Sequence, residues 1–298
     1  LGPKPAMPVM EGKALLFKHF ANVDAVPVVL DVHQPEEIIA TIKAIAPSFG
    51  AINLEDIAAP KCFEIEERLK AELDIPVFHD DQHGTAIVVL AGLINAAKLT
   101  RRNLADCKFV VIGAGAAGTA IIKLLHLYGA RNIMAVDSRG IVGASRTDLN
   151  AEKTALLEYV DASQTGSIDD AITDADVFIG VSRAGLLTPE LVQKMAEDPI
   201  IFALANPVPE IMPDVAREAG VAVIATGRSD FPNQINNSLA FPGIFRGALD
   251  HGVQKITDQH KLAAAEALAG LVENPTADEV IPSPFDERVP STVARVIT

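Results

Sequence analysis

The chain has no tryptophan, only two cysteines, no excess of positive charge and no hydrophobic run long enough to cross a membrane. Cys62 and Cys107 form no Cys-x-x-Cys pair, so the reading is two packing thiols in a reduced, cytoplasmic setting. A net charge of −14 argues against a nucleic-acid partner, because phosphate contacts need surplus lysine and arginine. Hydrophobic residues make up 49% of the chain, yet the runs are short and broken by glycine, proline and charge. None approaches the ~20 residues that a membrane helix needs. There are no repeats and no low-complexity tract. The opening LGPKPAMPVMEGK is neither a start methionine nor a signal peptide, and reads as a chain whose beginning has been cut off.

The 298 residues that remain suffice for one large or two ordinary domains, and they alternate between strand and helix signals. A helix is expected over 14–25, a strand over 26–32, a helix over 33–49 and a short strand ending at Leu54. An amphipathic helix over 60–73 carries Ile65, Leu69 and Leu73 on one face. A strand over 75–79 and a helix over 84–99 follow. A second series runs through strands at 108–112, 133–137, 174–182, 199–207 and 221–227, and ends in an alanine-rich helix over 261–272.

Two acidic pairs stand at strand ends in the first series: Glu55-Asp56 in AINLEDIAAP and Asp80-Asp81 in IPVFHDDQHGTA. A β–helix–β unit of this length makes adjacent parallel strands, so both pairs are expected at one sheet edge, where open α/β sheets bind ligands. Crowded like charges call for a neutralising partner, and three hard oxygens suit Mg²⁺ or Mn²⁺. The competing reading is that Asp80 and Asp81 cap the following helix. His79 and His83 have a zinc-like spacing, but it crosses a strand–helix junction and no third nitrogen or sulfur ligand is at hand. Packing or loop hydrogen bonding is the better account of them.

In KFVVIGAGAAG the glycines Gly113, Gly115 and Gly118 follow an apolar run and open a helix. That pattern lets a pyrophosphate approach backbone N–H groups at a helix N-terminus, in contact with Gly113, Gly115, Ala116, Ala117 and Gly118. Asp137 ends the next strand, where a carboxylate accepts from a ribose 2′-OH. Asp137 favours NAD, while Ser138, Arg139 and Arg146 stand near enough for the 2′-phosphate of NADP, so both stay open. Ser182 and Asn206 follow later strands, and Asn236-Asn237 lie in FPNQINNSLAFPG. Amides there bind a carboxylate or a carboxamide without adding charge, although each in isolation is ordinary turn chemistry. Lys13, after PVMEG, is either a solvated surface residue or a base whose pKa a site has lowered.

Together these segments resemble the malic enzymes in their smaller bacterial form. PVMEGKALLFKHF, INLEDI, PVFHDDQHGTA, VVIGAGAAGTAI, VDSRGIV, ADVFIGVS, FALANPVPE and ATGRSDFPNQINNSLAFPG occur in the family's order over nearly the whole chain. The resemblance implies an α/β fold: a partial, parallel-sheet N-terminal malic domain over 1–75, then a Rossmann-type, doubly wound NAD(P)-binding domain with a helical tail over 76–298. It implies Glu55, Asp56 and Asp81 as ligands of Mg²⁺ or Mn²⁺, Lys13 as the base for the malate hydroxyl, and Asp80 as a supporting catalytic residue. Asn206, Asn236 and Asn237 would contact substrate, with Ser182 and Asn206 also beside NAD or NADP. L-malate and pyruvate become the expected substrate pair, in a homodimer or higher homo-oligomer. One departure stands out. The family's upstream tyrosine, taken as the general acid, has no counterpart, and Tyr128 and Tyr159 occupy unrelated contexts. Two other activities compete: a metal-dependent oxaloacetate decarboxylase, marked by decarboxylation without malate oxidation, and a non-catalytic NAD(P)-binding module, marked by cofactor binding without turnover.

Overall fold

The computed structural model describes residues 2–298. Helix α1 (Pro3–Ala21) leads to α2 (Pro35–Ile45), β1 (Ile52–Leu54), α3 (Lys61–Glu72), β2 (Val77–His79) and the long α4 (Asp80–Leu99). Helix α1 begins eleven residues before the predicted start, with proline at its first position, where the missing N–H costs nothing. It ends at Asn22, whose φ of 48° closes the helix in the left-handed region. Helix α4 starts at Asp80 rather than at residue 84, so Asp80 and Asp81 lie in its first turn, where carboxylates suit the helix dipole.

The predicted strand over 26–32 does not form. β-propensity has no effect without a neighbouring backbone to pair with; β1 is paired with β2 alone, and Val26 and Val28 stay 64% and 42% exposed. β1 and β2 are parallel, with Ile52 opposite Val77 and Leu54 opposite His79. The crossover helix α3 buries Cys62, Ile65 and Leu69, the last two against Ile39 and Ile42 of α2.

The remaining elements are β3 (Lys108–Ile112), α5 (Ala116–Tyr128), β4 (Asn132–Asp137), β5 (Gly140–Ile141), α6 (Ala151–Leu156), α7 (Ile168–Ile172) and β6 (Val177–Gly180). Then come α8 (Pro189–Val192), β7 (Ile200–Ala203), α9 (Pro213–Glu218), β8 (Val223–Thr226), α10 (Phe241–His251), α11 (Asp258–Gly270) and α12 (Arg288–Ala294). The six-stranded sheet has the order β5-β4-β3-β6-β7-β8, parallel throughout except for β5 at one edge. One face packs Phe109, Val111, Ile179 and Phe202 under Ile87, Leu90, Ile121 and Ile122 of α4 and α5. The other packs Val110, Phe178, Ile201 and Ile224 against residues of α7 to α9. Burial on both faces explains why these strands are continuous apolar runs rather than alternating ones. This is a Rossmann-type sheet, joined to a smaller unit in which β1 and β2 pair. Its strand order reverses between β3 and β6, and the crevice beyond their carboxyl ends is where such sheets take a ligand. No helix among the described residues is long and apolar enough to cross a membrane.

Candidate active site

The β1–β2 register brings the carboxyl ends of both strands side by side, and with them the two acidic pairs. Asp56, at φ 56°, donates its backbone N–H to Asp81 Oδ2 at 2.9 Å. From α1, Lys13 reaches between the pairs: its ammonium contacts Asp80 Oδ2 and lies 3.2 Å from Glu55 Oε2. The same ammonium sits 4.4 Å from the centre of the Phe241 ring. Asp80 is wholly buried, and among the described residues its Oδ1 has no hydrogen-bond partner and Glu55 Oε2 has the ion pair to Lys13 alone.

The crowding perturbs Glu55, Asp80 and Lys13. Burial, reinforced by Asp81 and Asp80 and opposed by Lys13, pushes Glu55 up to about 8. Burial also carries Asp80 up to about 6, although Lys13 pulls it down. Lys13 itself is desolvated, which lowers its pKa, but Asp80, Glu55 and Asp81 outweigh that and hold it above the usual lysine value. The expectation of a lysine lowered toward neutrality is therefore not met in this state. Lys13 is a cation with a hydrogen-bonded carboxylate ready to exchange a proton.

Of the asparagines, Asn237 joins this cluster. A Cβ at Gly84, one turn beyond Asp80 on α4, would run into Asp80 Oδ1 and come within 3.0 Å of the Asn237 Cβ. Gly84 is thus the space in which Asp80 and the 236–237 loop meet. Asn236 accepts from Ser238 N at 2.9 Å, which shapes the loop. The loop is anchored to the large sheet, since Ile235 N donates to Thr226 O at 2.8 Å.

As the side chains stand, no three His, Cys, Asp or Glu among the described residues converge into a ready-made metal cage. The donor chemistry nonetheless fits a hard divalent cation: Glu55, Asp56 and Asp81 directly follow the paired ends of β1 and β2, beside an orphaned Asp80 oxygen and a Glu55 carboxyl that burial discourages from ionising. His79 and His83 do not suit zinc. His83 Nε2 lies 2.9 Å from Glu66 Oε2, and burial lowers its pKa to about 4, so the neutral ring donates to the carboxylate.

Glu66 was invisible as a functional residue in the sequence. It is 5% exposed and accepts from His79 N at 3.2 Å, Gln82 Nε2 at 3.3 Å and His83 Nε2 at 2.9 Å, with Lys70 paired to it as well. These bonds fasten α3 to the β2–α4 junction that carries Asp80 and Asp81. Burial would raise its pKa, but His83 and Lys70 drive it far below the ordinary range.

The glycine turn after β3 forms the second pole. Gly113 N donates to Val136 O at 2.9 Å, which places the turn beside the end of β4 and Asp137. Gly113 has φ +111°, and a Cβ there would meet the Val181 carbonyl at 2.7 Å. A Cβ at Gly118 would collide with the Gly113 carbonyl, whereas one at Gly115 meets open space. Ala116 and Ala117 begin α5. Ser182 and the loop of Asn206 are tied by Glu210, also unread in the sequence: fully buried, it accepts from Ser182 N and Ala205 N, each at 3.0 Å. Asp137 is held by Arg146 at 2.8 Å and by Lys153; burial raises its pKa, and these bonds bring it down to about 2.

The family profile "Malic enzyme, N-terminal domain" matches residues 1–70, and "Malic enzyme, NAD binding domain" matches residues 82–289. All of the chain aligns at 58% identity with 73% of the bifunctional malic/malolactic enzyme of Bacillus subtilis, and at 56% with 63% of the NAD-dependent malic enzyme of Geobacillus stearothermophilus. An NADP-dependent malic enzyme of Halomonas elongata is 46% identical over 99% of this chain and 75% of its own length. The crystal structure of the NAD-dependent malic enzyme from Thermotoga maritima superposes on the whole chain, and on 79% of its own, with a TM-score of 0.96 at 50% identity.

Proposed function

Because the chain belongs to the malic enzyme family, we propose that it catalyses the oxidative decarboxylation of L-malate to pyruvate and carbon dioxide, with reduction of NAD or NADP and dependence on Mg²⁺ or Mn²⁺. The observation that carries this reading is Lys13 set between Asp80 and Glu55, at the strand ends that also bear Asp56 and Asp81. Glu55, Asp56 and Asp81 would hold the divalent cation. When bound, the cation supplies Lewis-acid polarisation of the substrate's C2 oxygen and the nicotinamide supplies a hydride acceptor.

The chain's own residues then account for binding and proton traffic. Asn237, with Asn236 shaping its loop, positions a substrate carboxylate beside Asp80 through its amide. Lys13 takes the proton of the C2 hydroxyl after first passing one of its own to Asp80, whose raised pKa makes it a fit acceptor. Gly113, Gly115 and Gly118 bring backbone to the pyrophosphate, and Asp137 faces the adenosine ribose. Protonation of C3 after carbon dioxide leaves falls to neither Tyr128, at the far end of α5, nor Tyr159, whose ring packs 5.4 Å from His126. That step is assigned to a tyrosine outside these residues; the chain spans 63–75% of the length of the three relatives named above.

The test is malate- and Mn²⁺-dependent formation of NADH or NADPH by the full-length protein, run beside Asp81→Ala. The expected result is turnover that needs the cation and disappears in the variant. Decarboxylation of oxaloacetate with no oxidation of malate overturns the reading, as does turnover in Asp81→Ala with unchanged metal dependence.

A further inference from the structure

The loops that follow β6 and β7 share one anchor. Glu210 is fully buried; its Oε1 accepts from Ser182 N and its Oε2 from Ala205 N, each at 3.0 Å. The backbone adds a seam between the same loops, with Leu187 N donating to Glu210 O at 3.1 Å and Gly185 N to Pro209 O at 3.3 Å. Gly180, the last residue of β6, makes the room. A Cβ there would lie 2.3 Å from the Glu210 carboxyl carbon. No cation among the described residues pairs with this carboxylate; burial raises its pKa and only backbone N–H groups oppose that.

Only a carboxylate can do this. Both of its oxygens accept, whereas an amide of the same shape has one acceptor and one donor, and would set its NH₂ against one of the two N–H groups. What the anchor holds is exposed: neither the Ser182 hydroxyl nor the Asn206 amide has a hydrogen bond among the described residues. A dinucleotide lies across the point where the strand order reverses. With its pyrophosphate on the glycine turn after β3 and its adenosine ribose at the end of β4, its nicotinamide ring falls to the β6 and β7 loops. Resting on the reading of this crevice as the nucleotide site, we propose that Glu210 is a positioning residue for the nicotinamide ring. It fixes the spacing between Ser182 and Asn206 without itself touching the cofactor.

Calorimetry on the full-length protein, without malate or metal, tests this apart from catalysis by comparing NADH with ADP-ribose, which lacks the nicotinamide ring. In Glu210→Gln the NADH affinity falls by about tenfold or more, while the ADP-ribose affinity stays within about threefold of the original. An equal loss of both ligands makes Glu210 a merely structural residue and overturns the proposal, as does an unchanged NADH affinity. Gly180→Ala, which displaces the carboxylate without removing its charge, gives the same split between the two ligands. It decides the matter if Glu210→Gln does not fold, and equal effects on the two ligands, or none, again overturn the proposal. Failure of the unaltered protein to bind NADH at all overturns the nucleotide site itself.

Discussion

The two poles of this site are built on opposite principles. At the carboxyl ends of β1 and β2 the chain gathers Glu55, Asp56, Asp80 and Asp81 around Lys13, and leaves a buried Asp80 oxygen without a hydrogen bond. At the end of β3 the turn itself carries no charge and relies on Gly113 and Gly118, whose missing Cβ atoms define its shape, while the charged groups beside it, Asp137 with Arg146 and Lys153, are already paired. The acidic pole carries an electrostatic cost until something neutralises it; the glycine pole is already satisfied and only needs room. Substitutions should therefore act on chemistry and ligand affinity at the first pole, and on shape at the second.

The largest expected effect is at Lys13. Lys13→Ala removes the proposed base and the cation paired with Glu55 and Asp80, and should lower kcat by roughly a thousandfold or more while NADH still binds, measured by steady-state kinetics beside calorimetry. A parallel loss of NADH affinity would show that the poles are not independent. Next is Gly118→Ala, where the added methyl meets the backbone carbonyl of Gly113, which cannot rotate away. Overpacking of this kind costs about 3 kcal/mol. Thermal unfolding should register it as a fall in Tm, and an unchanged Tm would mean that the turn can open.

Glu66 tests whether the acidic pole depends on its support. Glu66→Gln keeps the volume but removes the charge that fastens the β2–α4 junction through Gln82, His83 and the His79 N–H. Outer-shell changes of this sort cost roughly 10–100-fold in metal affinity. The Mn²⁺ dissociation constant should rise by that factor while NADH affinity holds. The stability side has a defined sign: the folded pKa of Glu66 lies below its unfolded value, so its contribution is present above the unfolded carboxylate pKa and lost as pH falls below it. The acid limb of the stability curve should accordingly be shallower in the variant.

The two poles were also unequally legible in the sequence. Gly113, Gly115, Gly118 and Asp137 declare themselves because local backbone geometry demands those residues at that spacing. The acidic pairs were readable as neighbours because a β–helix–β crossover has one common outcome, and the β1–β2 register gives it. Glu66 was not readable: on α3 it sits beside the apolar Ile65, and its burial depends on a junction thirteen to seventeen residues away. Glu210 was hidden likewise, since it serves two loops that only the folded sheet brings together. The absent strand at 26–32 errs the other way, because composition cannot say whether a neighbouring strand exists to receive it.

The charge at the acidic pole makes a graded prediction. With Glu55 pushed to about 8 by burial and by Asp81 and Asp80, the carboxyl holds a proton at pH 6–7, and a cation must displace it. The apparent Mn²⁺ affinity should then rise about tenfold per pH unit below pH 8 and level off above it. A flat profile between pH 6 and 8 would mean that Glu55 is not among the groups that bind the ion.

The smallest effect on the folded protein is expected at Gly115. Its φ of −94° is open to any residue, and a Cβ there meets nothing within 4 Å, so the turn alone gives no reason for glycine. The reason must be what approaches from outside, at the start of α5, where the pyrophosphate would lie against backbone N–H groups. Gly115→Ala should shift Tm by less than about 2 °C, since it changes no packed contact. NADH affinity should fall about tenfold, as one methyl holds the phosphates away from their donors. A large loss of Tm with unchanged NADH affinity would reverse the argument, making Gly115 a shape residue like Gly118 and leaving the pyrophosphate site without its open position.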